Sequence, residues 1–117
     1  MMFVKIYQYH IQKDKVDEYL AIQDKASEIY GRYLDFHTMY LNSKDDDTKW
    51  IEITRYKDED EYNKSMNIIN EQKDIQGLFE AFQSLLLTEK SEISEEDFIE
   101  KKEKRNLLVQ SSLSNGE

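Results

Sequence analysis

The chain has 117 residues, of which 38% are hydrophobic and 35% charged, which fits one domain with a buried core. It contains no cysteine, which excludes disulfides, thiolate nucleophiles and cysteine-bound metal clusters. The net charge of −9 opposes nucleic-acid binding, because affinity for phosphates depends on cationic side chains. No apolar run approaches the roughly 20 residues of a membrane helix, and the first residues lack the form of a secretory signal. We therefore expect a cytoplasmic protein that binds neither membrane nor nucleic acid.

Three segments, residues 3–11, 36–42 and 49–56, alternate with period two and predict strands. Within them one set of alternate positions is aliphatic, namely Val4, Ile6, Met39, Leu41, Ile51 and Ile53. The other set is aromatic, namely Phe3, Tyr7, Tyr9, Phe36, Tyr40, Trp50 and Tyr56, with Lys5, Thr38, Glu52 and Thr54 among them. An antiparallel sheet usually leaves one face in water. Two apolar faces therefore indicate that helices cover one of them and a second copy of the chain covers the other.

Helical spacing of apolar residues predicts a helix over residues 15–34, with Asp14 as its N-cap and a weak last turn at Gly31. Asp58, with Glu61 three residues later, predicts the start of a helix over 59–70. Residues 74–86 carry a further helical stripe. Three alternatives remain open for the next segment: a short strand within 87–93, a helix that begins near Ser94, or a strand through 92–99.

The domain is predicted to cover residues 1–100, followed by a charged, mobile tail over residues 101–117. A basic cluster in residues 101–105 is interpreted as the solvated end of a helix. Three consecutive aspartates occupy the turn at residues 45–47. They lack the alternating spacing, the glycine and the distal glutamate of a calcium loop, so we expect no metal site.

The predicted element order is that of an α+β, ferredoxin-like half-barrel with an antiparallel sheet and helices on one face. The stretches FVKIYQYHIQKDKVDEYLAI, KWIEITRYKDEDEYNKSM and GLFEAFQSLL resemble antibiotic-biosynthesis-monooxygenase-like domains of the dimeric α/β-barrel superfamily. The resemblance implies a homodimer with a ligand cleft in each subunit. It also implies an activity class, because members of this superfamily include cofactor-independent oxygenases. Such an enzyme orients a substrate that itself reduces oxygen, and it supplies a base.

Haem-degrading members of the superfamily carry an asparagine on the first strand, and a tryptophan and an axial histidine on the second helix. The resemblance aligns Tyr7 with the asparagine and Ser65 with the tryptophan, and no histidine follows His37. An imidazole ligand from that helix is thus excluded. We expect no haem degradation and no cofactor.

The two histidines of the chain, His10 and His37, are weak candidates for a general base, because imidazole titrates near neutrality. Both belong to the aliphatic set, and their two strands could be neighbours in the sheet. The alternative is that they are ordinary strand-end histidines. No acid at a fixed spacing supports catalysis by either one.

The aromatic set predicts a ligand-binding surface. The candidate residues are Tyr7, Tyr9, Tyr40, Trp50, Glu52 and Tyr56. Apolar walls with a few polar groups are typical of small-molecule pockets, and a small aromatic or polyphenolic ligand would suit them. The alternative is a non-catalytic dimer in which these aromatic residues only pack. A cavity bordered by Tyr7, Tyr40 and Trp50 would favour ligand binding, and a solid core would favour packing.

Whether the aromatic residues bind a ligand or only pack depends on which face of the sheet meets the helices. Apolarity alone favours the aliphatic set under the helices. The alignment of Tyr7 with the pocket asparagine favours the aromatic set there instead, and we favour this second arrangement. Lys5 and Glu52 lie on the same face of adjacent predicted strands, so we also expect them to form a cross-strand ion pair.

Overall fold

A computed structural model describes residues 2–108. The strands are β1 (Phe3–His10), β2 (Phe36–Asn42), β3 (Lys49–Tyr56) and β4 (Ser94–Ile99), and the helices are α1 (Val16–Tyr30), α2 (Glu59–Ile69) and α3 (Lys73–Ser84). This is the predicted α+β, ferredoxin-like class with an antiparallel four-stranded sheet. The predicted mobile tail extends into residues 109–117, which lie outside the described residues.

The sheet has the order β2-β3-β1-β4, and every neighbouring pair is antiparallel. Because β3 lies between β1 and β2, the expectation that the strands of His10 and His37 are neighbours is wrong. The fourth strand begins at Ser94, which agrees with the third alternative and excludes the helix start there. In the β1–β4 pairing Tyr7 lies opposite Glu95 and Lys5 opposite Asp97.

The aromatic set faces the helices, as the alignment of Tyr7 indicated. Phe3, Tyr9 and Tyr56 are buried beneath the helices. The aliphatic set forms the opposite face, which we call the open face. A row of Met39, Ile53 and Ile6 crosses it from β2 through β3 to β1.

A side-chain cap explains where α2 begins. Asp58 Oδ1 accepts a hydrogen bond from the Glu61 backbone N–H at 2.7 Å, so the predicted N-cap of α2 is confirmed. Helix α1 ends at Tyr30, before the weak position predicted at Gly31 and four residues short of the predicted end at residue 34. The predicted cap at Asp14 is wrong, because Asp14 lies inside a 3₁₀ turn, Lys13–Lys15, and α1 begins after it without a side-chain cap.

The segment after β4 has no regular secondary structure through residue 108, so the interpretation of its basic cluster as a helix end is wrong. Arg55, at the rim of the open face, holds the segment through ion pairs to Glu100 at 2.8 Å and Glu103 at 3.6 Å. No helix within residues 2–108 combines the length and the apolarity needed to cross a membrane.

Candidate functional site

A cavity of about 180 Å³ lies between the aromatic face of the sheet and the three helices. Within residues 2–108, seven aromatic side chains line it: Tyr7, Tyr9, Tyr30, Tyr56, Tyr62, Phe79 and Phe82. The cavity separates two buried clusters of the core, one around Tyr9 and Phe82 and the other around Tyr56 and Ile75. An engineered apolar cavity of about 150 Å³ is large enough to hold benzene, so this space admits a ligand of one or two rings.

The strand register explains why the side chain of Glu52 points into the cavity. Residues two apart on a strand share a face, so Tyr7 and Tyr9 both point towards the helices. Glu52 lies directly opposite Tyr7 in the β1–β3 pairing and therefore projects to the same side. Phe79, from α3, is 54% exposed and lines the cavity as well, so the cavity opens to solvent beside that helix.

Glu52 ends a chain of hydrogen bonds that leads into the core. The Tyr9 hydroxyl donates to Glu52 Oε1 at 2.8 Å and lies 2.7 Å from the Tyr19 hydroxyl. Because the single proton of Tyr9 goes to the carboxylate, Tyr19 is the donor in the second bond. The one side-chain hydrogen bond that residues 2–108 give Glu52 is to Oε1, which leaves Oε2 for a ligand.

Burial changes the acidity of these groups. It raises the pKa of Glu52, and the hydrogen bond from Tyr9 opposes this only in part. Burial also raises the pKa of Tyr30 to about 12 and the pKa of Tyr7 above its ordinary value. The tyrosines are therefore neutral at physiological pH, and Glu52 is a stronger base than an exposed glutamate. A base of raised pKa in a cleft is a common property of functional sites.

Lys5 does not pair with Glu52, so that prediction is wrong. Its register partner on β3 is Thr54, and its ammonium lies 2.6 Å from both Glu95 and Asp97 on β4. Burial alone would lower the pKa of Lys5, but the hydrogen bonds to Asp97 and Glu95 outweigh it and raise the pKa. The ion pairs of Lys5 depend on the position of β4, for which the sequence left three alternatives open.

Neither histidine faces the cavity. Both lie on the open face, since they alternate with the buried aromatic residues. His10 Nδ1 lies 3.0 Å from Thr48 Oγ1, and that hydroxyl donates to Asp46 Oδ1 at 2.7 Å. Because the threonine proton goes to Asp46, His10 Nδ1 is the donor to Thr48. His10 is thus hydrogen-bonded to the turn that precedes β3. Neither histidine is placed to contact a ligand in the cavity.

The six predicted ligand-binding residues divide into two groups. Tyr7, Tyr9, Glu52 and Tyr56 line the cavity, whereas Tyr40 and Trp50 do not. Tyr40 donates a hydrogen bond of 3.2 Å to Gln23 Oε1, and the Trp50 ring packs 4.8 Å from that of Tyr19. The structure therefore contains both a cavity and a packed aromatic core, one beside the other.

The helices supply lining residues that sequence reasoning missed, namely Tyr30, Tyr62, Phe79 and Phe82. Their signal was present, because all four stand on the apolar stripes of predicted helices. Nothing in a stripe distinguishes a ring that borders a cavity from one that fills the core. The buried Ser65, which the resemblance aligns with the helical tryptophan of haem-degrading members, donates to the Tyr33 carbonyl at 3.3 Å.

No protein-family model matches the sequence, and no curated protein matches it. Solved structures match the fold. A variant of SnoaB, a cofactor-independent oxygenase from Streptomyces nogalater, aligns with a TM-score of 0.67 at 12% identity over 87% of this chain and 95% of that one. A candidate antibiotic biosynthesis monooxygenase from Nitrosomonas europaea aligns with a TM-score of 0.63 at 15% identity, over 83% and 88% of the two chains. A NIPSNAP family protein from Agrobacterium tumefaciens has a TM-score of 0.66 at 16% identity, over 86% and 94%.

These similarities confirm the ferredoxin-like α+β class. More particularly, the fold is shared with solved structures that include a cofactor-independent oxygenase and a candidate antibiotic biosynthesis monooxygenase, in agreement with the resemblance of the sequence stretches. A shared fold at this level of identity does not determine the reaction.

Proposed function

We propose that the protein binds a small, flat aromatic molecule in the cavity and orients it for a monooxygenase-like reaction that needs no cofactor and no haem. The observation that carries this proposal is the lining of the cavity, in which aromatic rings surround one partly buried carboxyl group, Glu52. Rings of this kind bind a flat ligand by stacking and edge contacts. A phenol or another hydrogen-bond donor on the ligand would meet Glu52 Oε2.

Glu52 is suited to be the proton acceptor of such a reaction. A cofactor-independent oxygenation requires a substrate that loses a proton and then reduces oxygen itself. Glu52 would take the proton from an acidic methylene carbon. One oxygen atom then stays on that carbon as a ketone, and the other leaves as water with the two hydrogens of the methylene. The fold neighbours that are named as oxygenases support this choice of reaction class.

Binding is tested with 2-naphthol, a two-ring phenol. Ala26 lines the cavity from α1, whereas Ala21 on the same helix is exposed. The Ala26→Phe substitution puts a ring into the cavity and should abolish the binding that calorimetry detects in the wild type. The matched Ala21→Phe substitution should leave it unchanged. Equal affinity in all three proteins would contradict the proposal.

Turnover is tested by oxygen uptake with 2-indanone, a flat two-ring ketone whose methylene groups are acidic. We expect uptake that the Glu52→Gln substitution lowers at least tenfold. The alternative function is a non-catalytic dimeric protein, and the packed positions of Tyr40 and Trp50 favour it. Binding of 2-naphthol without oxygen uptake would contradict the proposed reaction and leave ligand binding as the function. The absence of both would support the alternative.

We also infer that a second copy of the chain covers the open face. Met39, Leu41 and Phe98 are 42%, 47% and 43% exposed there, and Ile6 and Ile53 complete an apolar row between β1 and β2. A contiguous apolar patch on a protein surface usually marks an interaction site. Two copies of one such face are complementary to each other, as a two-fold interface requires.

A further inference from the structure

Within residues 2–108, the charged side chain that lines the cavity is acidic. Among the described residues that line it, Glu52 is the one carboxylate, and none is a lysine, arginine or histidine. Glu52 is also among the causes that raise the pKa of Tyr9, Tyr30 and Tyr56, after burial itself. A second negative charge in this space would therefore meet repulsion from Glu52 and find no cationic side chain to offset it.

Lys5, whose ammonium lies beside two rings of the cavity lining, is not free to neutralise an anionic ligand. Its side chain is 4% exposed, and its ammonium contacts Glu95 and Asp97 at 2.6 Å each. Two carboxylates against one ammonium leave this end of the cavity with a negative balance. A ligand carboxylate or phosphate would have to displace one of them.

Two of the rings that line the cavity already lie beside a positive charge, the ammonium group of Lys5. The Lys5 ammonium lies 5.2 Å from the centre of the Tyr62 ring and 5.8 Å from that of Tyr7, and both of these rings line the cavity. Ring faces attract cations at such distances. Aromatic rings around one carboxylate are the combination that recognises organic ammonium groups, because the rings replace the hydration of the cation and the carboxylate balances its charge.

We propose that the ligand of this cavity is an aromatic cation, either an N-alkylated heteroaromatic ring or a protonated arylalkylamine, whose charged nitrogen lies against Glu52. This inference rests on the proposed function and specifies its ligand class. The net charge of −9 adds a long-range attraction for cations. The hydrogen bond from Tyr9 holds Glu52 Oε1 in place, so Oε2 is the oxygen that meets the cation.

The test compares three probes of similar size and shape but different charge: 1-methylquinolinium, the neutral 1-methylnaphthalene, and 1-naphthoate. Titration of the wild-type protein should show the cation bound at least tenfold more tightly than the neutral probe, and the anion bound more weakly than both. In Glu52→Gln the preference for the cation should disappear, while binding of the neutral probe should persist. Glu59→Gln, an exposed position on α2, is the control with the same change in net charge, and it should keep the preference.

Each outcome has a defined meaning. Equal or tighter binding of 1-methylnaphthalene to the wild type would overturn the cationic ligand class and leave the proposed aromatic site standing, provided that Ala26→Phe abolishes that binding. A cation preference that survives in Glu52→Gln would also overturn the inference, since the attraction would then come from the general surface charge. Failure of all three probes to bind would contradict the proposed function itself. The folded state of Glu52→Gln is checked by its circular dichroism spectrum, which should match that of the wild type.

Discussion

Substitution of Tyr9 by phenylalanine should cost more stability than substitution of Tyr19, although both remove one hydroxyl group. Tyr19→Phe removes only the 2.7 Å bond to Tyr9, and a neutral hydrogen bond contributes about 1 kcal/mol net. Tyr9→Phe removes that bond and the 2.8 Å bond to Glu52, and it leaves the hydroxyl of fully buried Tyr19 without its acceptor. With about 1 kcal/mol for each of the two lost bonds and about 1–3 kcal/mol for the stranded buried hydroxyl, the expected total is about 3–5 kcal/mol.

Urea unfolding at fixed protein concentration measures these costs, and the double variant gives the sharper test. Once Tyr9 is phenylalanine, removal of the Tyr19 hydroxyl removes the stranded group. Tyr19→Phe should then be neutral or stabilising, so that the two substitutions are coupled by about 1–3 kcal/mol. Strictly additive costs, or a Tyr9→Phe cost no larger than that of Tyr19→Phe, would refute the hydrogen-bond chain that holds Glu52 in place.

Three further outcomes follow from the structure. Because burial raises the pKa of Glu52, the folded state retains a proton between the ordinary pKa of glutamate and this raised pKa, whereas the unfolded chain has released it. The free energy of unfolding of the wild type should therefore fall with rising pH in this window, by at most about 1.4 kcal/mol per pH unit relative to Glu52→Gln. Parallel curves of this free energy against pH for the two proteins would contradict the raised pKa. Ile53→Glu on the open face should yield a monomer in sedimentation, whereas Ile68→Glu, at an apolar position of α2 that is 50% exposed, should not; a dimer that persists in Ile53→Glu would rule out the proposed interface. Asp58→Ala should lower the free energy of unfolding by about 1 kcal/mol through loss of the N-cap, and an unchanged urea midpoint would mean that the cap contributes nothing.

The strands and their two faces could be predicted from the sequence because period-two alternation is a local signal. Phe36–Asn42 and Lys49–Tyr56 agree with the structure to the residue. The aromatic composition of one set also identified Tyr7, Tyr9, Glu52 and Tyr56 as residues of one surface, and the structure places all four around the cavity. The face of each side chain depends on neighbours within one strand, whereas the grouping of β1 with β3 followed from the similar composition of their two faces.

The remaining features depend on contacts between distant parts of the chain. The pairing of Lys5 with Glu95 and Asp97 joins residues about ninety positions apart, and it required the position of β4 to be known. Trp50 is aromatic and lies on the same face as Tyr7, but its ring packs 4.8 Å from that of Tyr19 in α1, so it is buried in the core and does not line the cavity. The spacing of residues along a strand predicts which side chains share a face of the sheet. The distance between the sheet and the helices determines which rings on that face border the cavity.

The binding of an aromatic ligand in the cavity is tested most directly by the isoleucine methyl signals in an NMR titration with 2-naphthol. Isoleucines stand on both sides of the sheet. Ile22, Ile75 and Ile93 line the cavity, and Ile6, Ile51 and Ile53 lie on the open face. We expect ring-current shifts at the methyl groups of the first three residues, with those of the other three unmoved. Shifts confined to the open face, or no shifts at a saturating concentration of 2-naphthol, would contradict the assignment of the cavity as the ligand site.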